Sequence, residues 1–433
     1  MKKSILLSLV PLMTGVSLAG TAPSLSQVEV PTAEAGDWTQ AVKDAMVVYQ
    51  SDEGWVRKVY GQAIVQFQIA DVQPSGPNGD SFKAGAGPVN QEFRRVWFGA
   101  TMSTATDTTF HAYWKLGGFP AKSSYSNGQT NKNYTYGGLF DIWVKQSIHG
   151  VDGLSVKAGK IKTLFTDDYI TPNTKIKTIE RSLISNQYGL ESNWGVELRY
   201  DMSKQNMLYM QLLANDRASY SRSLTHSDYY GDGDGLKGEF GWEDRCFAII
   251  GGSHKFAQTE EGGQTLSFQY AHDFNNIYDG KRDAGSNCVA MSVKDALSLG
   301  HRWQEGKLSV ETALIANFEQ YKAKDTGNGN NIGLSIMPVY ALNPHVDLVF
   351  RYTVMSGDGA CNIGADRFIC QQTTTDKYVD SVNAFYLGAN FYYSAKNPDA
   401  AKIMTGLEYT TAREDGEGCY SGWTLMSAIR FAF

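Results

Sequence analysis

The chain has 433 residues, 42% hydrophobic and only 19% charged, with 44 Gly, 24 Tyr, 20 Phe and 9 Trp. That balance excludes a disordered chain, and a formal charge of −6 offers no basic surface for a nucleic acid. No uninterrupted apolar run of about 18 residues follows residue 20, which excludes a bundle of membrane helices; abundant Gly and aromatics beside few Pro favour an all-β chain.

In chain order, Met1 to Ala22 has the pattern of an export signal. Lys2 and Lys3 form its positive start, Ile5 to Leu18 are mostly apolar, and cleavage is expected after Ala19 or Ala22. Residues 23–54 are expected to form a periplasmic lead with one short helix. Asp37 followed by Gln40 resembles a capping box, and Trp38, Val42, Ala45, Met46 and Tyr49 recur on one face. A helix is therefore predicted from Asp37 to Tyr49.

From Trp55 the periodicity changes to 2. Val59, Ala63, Val65, Phe67 and Ile69 alternate with Tyr60, Gln62, Ile64, Gln66 and Gln68. The same alternation sets Phe110, Ala112 and Trp114 against His111, Tyr113 and Lys115, and Phe140, Ile142 and Val144 against Asp141, Trp143 and Lys145. About sixteen such segments run to the C-terminus, joined by connections that alternate long and short. The long ones are 71–90, 118–135, 163–192, 215–244, 273–288, 319–331, 356–380 and 411–422. Long loops at one end and short turns at the other are the mark of an outer-membrane barrel. In lipid every backbone group must be paired, so the sheet must close on itself. Residues 55–433 are therefore predicted to form a transmembrane antiparallel β-barrel of about sixteen strands. The last strand places Trp423, Leu425, Ile429, Phe431 and Phe433 on one face, and its terminal Phe resembles the assembly signal of Gram-negative outer-membrane proteins.

Five cysteines follow the signal: Cys246, Cys288, Cys361, Cys370 and Cys419. An exported chain can form disulfides, and an odd count leaves at least one unpaired within the chain. Cys361 and Cys370, close together in one predicted loop, are the candidate pair. No Cys or His spacing makes a metal site. The Asp-rich stretch from Asp228 to Glu239 lacks the full spacing of a calcium loop. Seven scattered histidines have no nucleophile partner, so neither an enzyme nor a cofactor is predicted.

Several stretches occur in a telling order: Phe93-Arg94-Arg95-Val96-Trp97-Phe98-Gly99, Gly153-Leu154-Ser155-Val156-Lys157-Ala158-Gly159-Lys160, Thr178-Ile179-Glu180-Arg181-Ser182, Ala384 to Tyr393, and the final Arg430-Phe431-Ala432-Phe433. On these the chain resembles the phosphate-selective porin O/P family over residues 55–433. The resemblance implies a sixteen-strand barrel, usually a homotrimer, in the outer membrane of a Gram-negative bacterium. It also implies contact with membrane lipid and lipopolysaccharide, and a third long loop folded into the lumen, here 163–192. Small anions such as phosphate are the implied solutes, although the chain lacks the long runs of clustered arginines that would argue for phosphate by themselves.

If the apolar parity faces lipid, the wet face receives Arg95, Lys115, Lys145, Lys157 and Arg199 on consecutive strands. This group is the expected anion path, since cationic rows lower the barrier for anions. Lys175, Lys177 and Arg181 of 163–192 are the expected constriction residues. The same lysines could instead only solvate the lumen and pair with Asp141, Glu197 or Asp201. A general or sugar-passing porin, with Tyr60, Tyr113 and Trp143 along the path, and a surface adhesin with a blocked lumen are the alternatives.

Overall fold

The computed structural model describes residues 37–75, 87–116, 119–120, 139–188, 192–214, 246–256, 258–259, 262–274, 294–320, 329–358, 363–364, 368, 378–414 and 417–433. The expected signal peptide and the Cys361 and Cys370 pair lie outside these residues. Sixteen strands make the barrel: β1 (Val56–Ser75), β2 (Val89–Thr104), β3 (Thr108–Leu116), β4 (Leu139–Ser147), β5 (Leu154–Ile161), β6 (Asn193–Asp201), β7 (Asn206–Ala214) and β8 (Cys246–Phe256), then β9 (Gly262–Asp273), β10 (Asp295–Glu305), β11 (Leu308–Gln320), β12 (Gly329–Asn343), β13 (Val346–Gly357), β14 (Ser381–Tyr392), β15 (Ala401–Glu414) and β16 (Glu417–Ala432). Each strand pairs antiparallel with the next. β16 closes onto β1 in the register Ile64↔Ala432 to Ser75↔Ser421.

Alternation decides the two faces. Phe98, Phe110, Leu198, Met210, Ile250, Phe268, Phe350 and Ile429 are exposed on the outside, where lipid is their solvent. Gln66, Gln68, Glu197, Gln211, Arg351, Glu408 and Arg430 point inward and are buried.

Three local features depart from the sequence reading. The helix α1 (Trp38–Ala45) stops four residues early, because Val47–Gln50 turns into a strand on the overhanging start of β1, pairing Tyr49 with Val59. The expected long connection 411–422 is mostly strand: β15 and β16 stay paired up to Glu414↔Glu417. The strand after the expected connection 273–288 starts only at Asp295 and runs to Glu305, which brings Arg302 into the wall.

α1 is held at the short-turn end. The Asp37 carboxylate caps it by accepting from the Thr39 N–H at 3.1 Å, and also accepts the Ser394 hydroxyl at 2.5 Å. These bonds hold the Asp37 carboxyl down to about 2. Trp38 packs on Tyr393 and Phe433, with ring centroids 5.1 and 5.9 Å away.

A barrel of this strand number leaves a wide lumen unless something fills it. Here a continuous buried apolar cluster fills much of it. Phe165, Ile179, Ile184 and Tyr188 of the 162–192 connection meet Leu213, Phe247, Ile315, Met355 and Tyr420 of the wall, together with Ile363, Phe368 and Val379 from the β13–β14 connection.

Candidate pore constriction and chamber

The connection 162–192 carries two short helices, α2 (Asp167–Ile170) and α3 (Leu183–Tyr188), and crosses the lumen. Thr166, just before α2, has φ 59°, a left-handed conformation that turns the chain inward. Where α2 meets the far wall, Gly300 of β10 leaves room. A Cβ on Gly300 would sit 2.6 Å from the Asp167 Cβ.

Wall side chains staple this loop from several directions. Asp167 accepts Ser267 Oγ at 2.9 Å and Arg302 Nε at 2.6 Å. Arg351 donates to the Glu180 carbonyl and to Glu408 Oε2, both at 2.9 Å. Lys402 donates to the carbonyls of Thr174 and Ile176, and Arg430 to those of Asn173 and Ile176. Glu180 accepts Arg94 Nε at 2.7 Å and Gln68 Nε2 at 2.9 Å. Within the loop, burial would raise the Asp168 carboxyl. The Arg181 guanidinium and two hydrogen bonds from Ser182 outweigh burial and hold it below the usual carboxylate range.

Arg94 reaches the loop through a bulge. Gln66 pairs with Arg95 but Phe67 pairs with Phe93, so Arg94 is the extra residue and both arginines turn inward. A second bulge, between Tyr113 and Trp114 of β3, has Trp114 pairing with Leu139 and leaves Phe140 unpaired in β4. Phe140 was expected on the lipid face with Ile142. It instead packs in the lumen, stacked on Trp97 at 5.0 Å.

The expected anion path is spread along the wall. Arg95 is buried and donates to Gln66 Oε1 at 2.6 Å, at the level of the loop. Lys115 lies over the rings of Trp97 and Phe140. Lys145 and Lys157 are cross-strand neighbours, with Lys157 paired to Glu197 at 2.8 Å and Arg199 to Asp201 at 2.9 Å. Of the expected constriction residues, Lys177 is tied to Asp347 at 2.9 Å and to the Tyr392 hydroxyl at 3.0 Å. Arg181 is buried and bonds Thr171 O and Asn173 Oδ1 of its own loop, while Lys175 is exposed. Sequence reading missed Arg302, Lys402, Arg94 and Lys162. Parity within the true strand ends would have given Arg302 and Lys402; no pattern signals the bulge behind Arg94.

Between this loop and α1, along β1 to β4, lies a cavity of about 550 Å³ lined by Lys58, Tyr60, Trp97, His111, Tyr113, Phe140, Asp141, Lys162, Tyr169 and Arg181, among others.

A closed sixteen-strand barrel with an apolar outer belt, a polar inner wall and a loop folded across the lumen is the architecture of the outer-membrane porins. The family model described as phosphate-selective porin O and P matches residues 66–233. Two solved structures are similar in fold. OprB of Pseudomonas putida is 11% identical, over 87% of this chain and 94% of that one, with a TM-score of 0.53. The outer membrane channel DcaP of Acinetobacter baumannii is 10% identical, over 89% of this chain and 99% of that one, with a TM-score of 0.50. No curated protein matches the chain.

Proposed function

We propose that the chain is an outer-membrane channel for passive diffusion of small solutes with a preference for anions, phosphate being the solute its family match suggests. One observation carries this reading. Lys58, Lys145 and Lys162 line the lumen between the loop and the short-turn end, and among the described residues none of them has a carboxylate within salt-bridge distance. Lys58 lies over the Tyr60 ring at 5.4 Å, and Lys162 donates to the Ile170 carbonyl at 3.0 Å and lies over Tyr169. Low-dielectric walls focus such unpaired charge onto the path of a permeating ion. Elsewhere the cations are consumed: Arg302, Arg351, Lys402 and Arg430 hold the loop. The preference therefore rests on a few lysines. In the same reading residues 1–22 are the export signal, three copies associate in the membrane, and the outer surface meets lipid and lipopolysaccharide.

The test is the reversal potential of single channels in a salt gradient. Wild type should pass chloride over potassium. Lys58→Glu with Lys145→Glu should move the reversal potential toward the cation side, and the shift should shrink at about 1 M salt, where the Debye length is about 3 Å. An unmoved reversal potential would remove the mechanism and favour a general or sugar-passing porin. That second reading has its own support in the stacked lumen rings of His111 and Trp143, 4.7 Å apart at 18°.

A further inference from the structure

We infer that the chamber between the 162–192 loop and α1 is a binding site for small carboxylates with a flat apolar body, such as aromatic monocarboxylates. The inference rests on the anion reading above and narrows it to a solute class.

One side of the chamber is a continuous aromatic wall. Trp97 and Phe140 stack at 5.0 Å and 30°, and Tyr113 stands edge-on to Trp97 at 5.8 Å and 86°. The β4 bulge creates this wall by carrying Phe140 from the lipid parity into the lumen. A channel that passed only hydrated inorganic anions gains nothing from it, since such ions are best served by polar donors. A flat apolar ring gains both burial and ring contacts there. Opposite lies Tyr169 of the loop, with Lys162 over its ring at 5.4 Å. Lys58 stands toward the short-turn end over Tyr60.

Aromatic surface therefore alternates with Lys58 and Lys162, which have no anionic partner among the described residues, and this suits a ligand with one apolar end and one anionic end. The chamber lining holds Lys43, Lys58 and Lys162, with Arg181 tied to Asp168 and its own loop, against the acidic Asp141, whose carboxylate already accepts the Ser192 hydroxyl. That excess favours an occupant that carries a negative charge over a neutral sugar. The volume, about 550 Å³, is that of a site for a small organic molecule rather than a single ion.

Block of chloride current tests this on the full-length protein in planar bilayers, with benzoate, acetate, inorganic phosphate, benzyl alcohol and glucose as the probes. Benzoate should block at about tenfold lower concentration than acetate or phosphate, because only benzoate adds ring contacts to its charge. Benzyl alcohol, which has the ring without the charge, should block far less than benzoate. Trp97→Leu should remove the advantage of benzoate over acetate, and Lys58→Gln with Lys162→Met should weaken block by both. Phe98→Leu, on the lipid side of the same strand, should block as wild type does. If Trp97→Leu fails to fold, the wild-type ranking of probes decides alone. Equal block by benzoate and acetate, or stronger block by glucose, overturns the inference. The salt-gradient reversal potential separates the two readings: a cation-preferring wild type defeats the anion channel itself, whereas an anion-preferring channel with no benzoate advantage defeats only the carboxylate site.

Discussion

At the scale of single residues, neighbours in sequence live in different solvents. Leu198 faces outward and is 40% exposed, while Arg199 faces the lumen and pairs with Asp201 at 2.9 Å. Leu198→Arg would put a charge against hydrocarbon and should lower stability by about 2–4 kcal/mol. Arg199→Leu removes a half-exposed ion pair, worth about 0–1 kcal/mol. Urea titration of the folded, heat-modifiable form should show this asymmetry, and equal losses would reverse the assignment of faces. Arg351 is a different case. It is buried together with its partners Glu408 and the Glu180 carbonyl. Its contribution lies in holding the loop, because a fully buried charge is stable only when such acceptors surround it.

At the scale of elements, the inserted loop and α1 are each held by a small number of specific contacts. Gly300 is the landing point for α2, so Gly300→Val should push Asp167 and its Arg302 bond away from the wall. Overpacking of this kind costs about 1–3 kcal/mol. Because the displaced segment crosses the lumen, single-channel conductance should rise in this variant. Gly87→Ala, where a Cβ meets nothing within 4 Å, should leave conductance unchanged. For α1 the cap sets an acid limit. The Asp37 carboxyl is held down to about 2 by Ser394 and Thr39. Its folded value lies below the unfolded one, so its contribution is fully present above about pH 4 and is lost as pH falls through about 2. Pepsin cleavage between Ala45 and Trp55 should accordingly stay slow at pH 4 and accelerate toward pH 2. Asp37→Asn should be cleaved at a rate nearly independent of pH after correction for pepsin activity, and a wild type equally fast at both pH values would show that the cap does not anchor the helix.

At the scale of the whole molecule, closure of β1 on β16 pairs the backbone around the entire barrel, which lipid requires. The connections that follow β2, β4, β6, β10, β12 and β14 are of a few residues and lie at the end where α1 sits, so that end should face the periplasm. A protease-cleavable tag within 215–244 should be cut on intact cells, and one within 148–152 should be protected; the reverse result would invert the barrel. The interior is lopsided as well. The apolar cluster runs from Leu213 of β7 round to Ala428 of β16 and Val72 of β1, and the cavity lies along β1 to β4, beside the aromatic wall.

The sequence by itself determined the barrel: the period-2 strands, their number, the order of long and short connections as far as β15, and the face of nearly every wall residue. It could do so because in a sheet bounded by lipid and water each side chain's solvent follows from its parity alone. That 163–192 folds inward was implied by the family resemblance and not by any pattern within the loop. Only the tertiary structure decided which charges remain available to a solute. Arg95 read from sequence as part of the anion path and Lys177 and Arg181 as constriction residues, but Gln66, Asp347 and, within the loop itself, Asn173 occupy them. The two bulges that bring Arg94 and Phe140 into the lumen depend on cross-strand register, which one strand's sequence does not contain. The chamber exists because a loop, a helix from before the barrel and four strands meet there, and contacts between segments so far apart in the chain leave no local pattern to read.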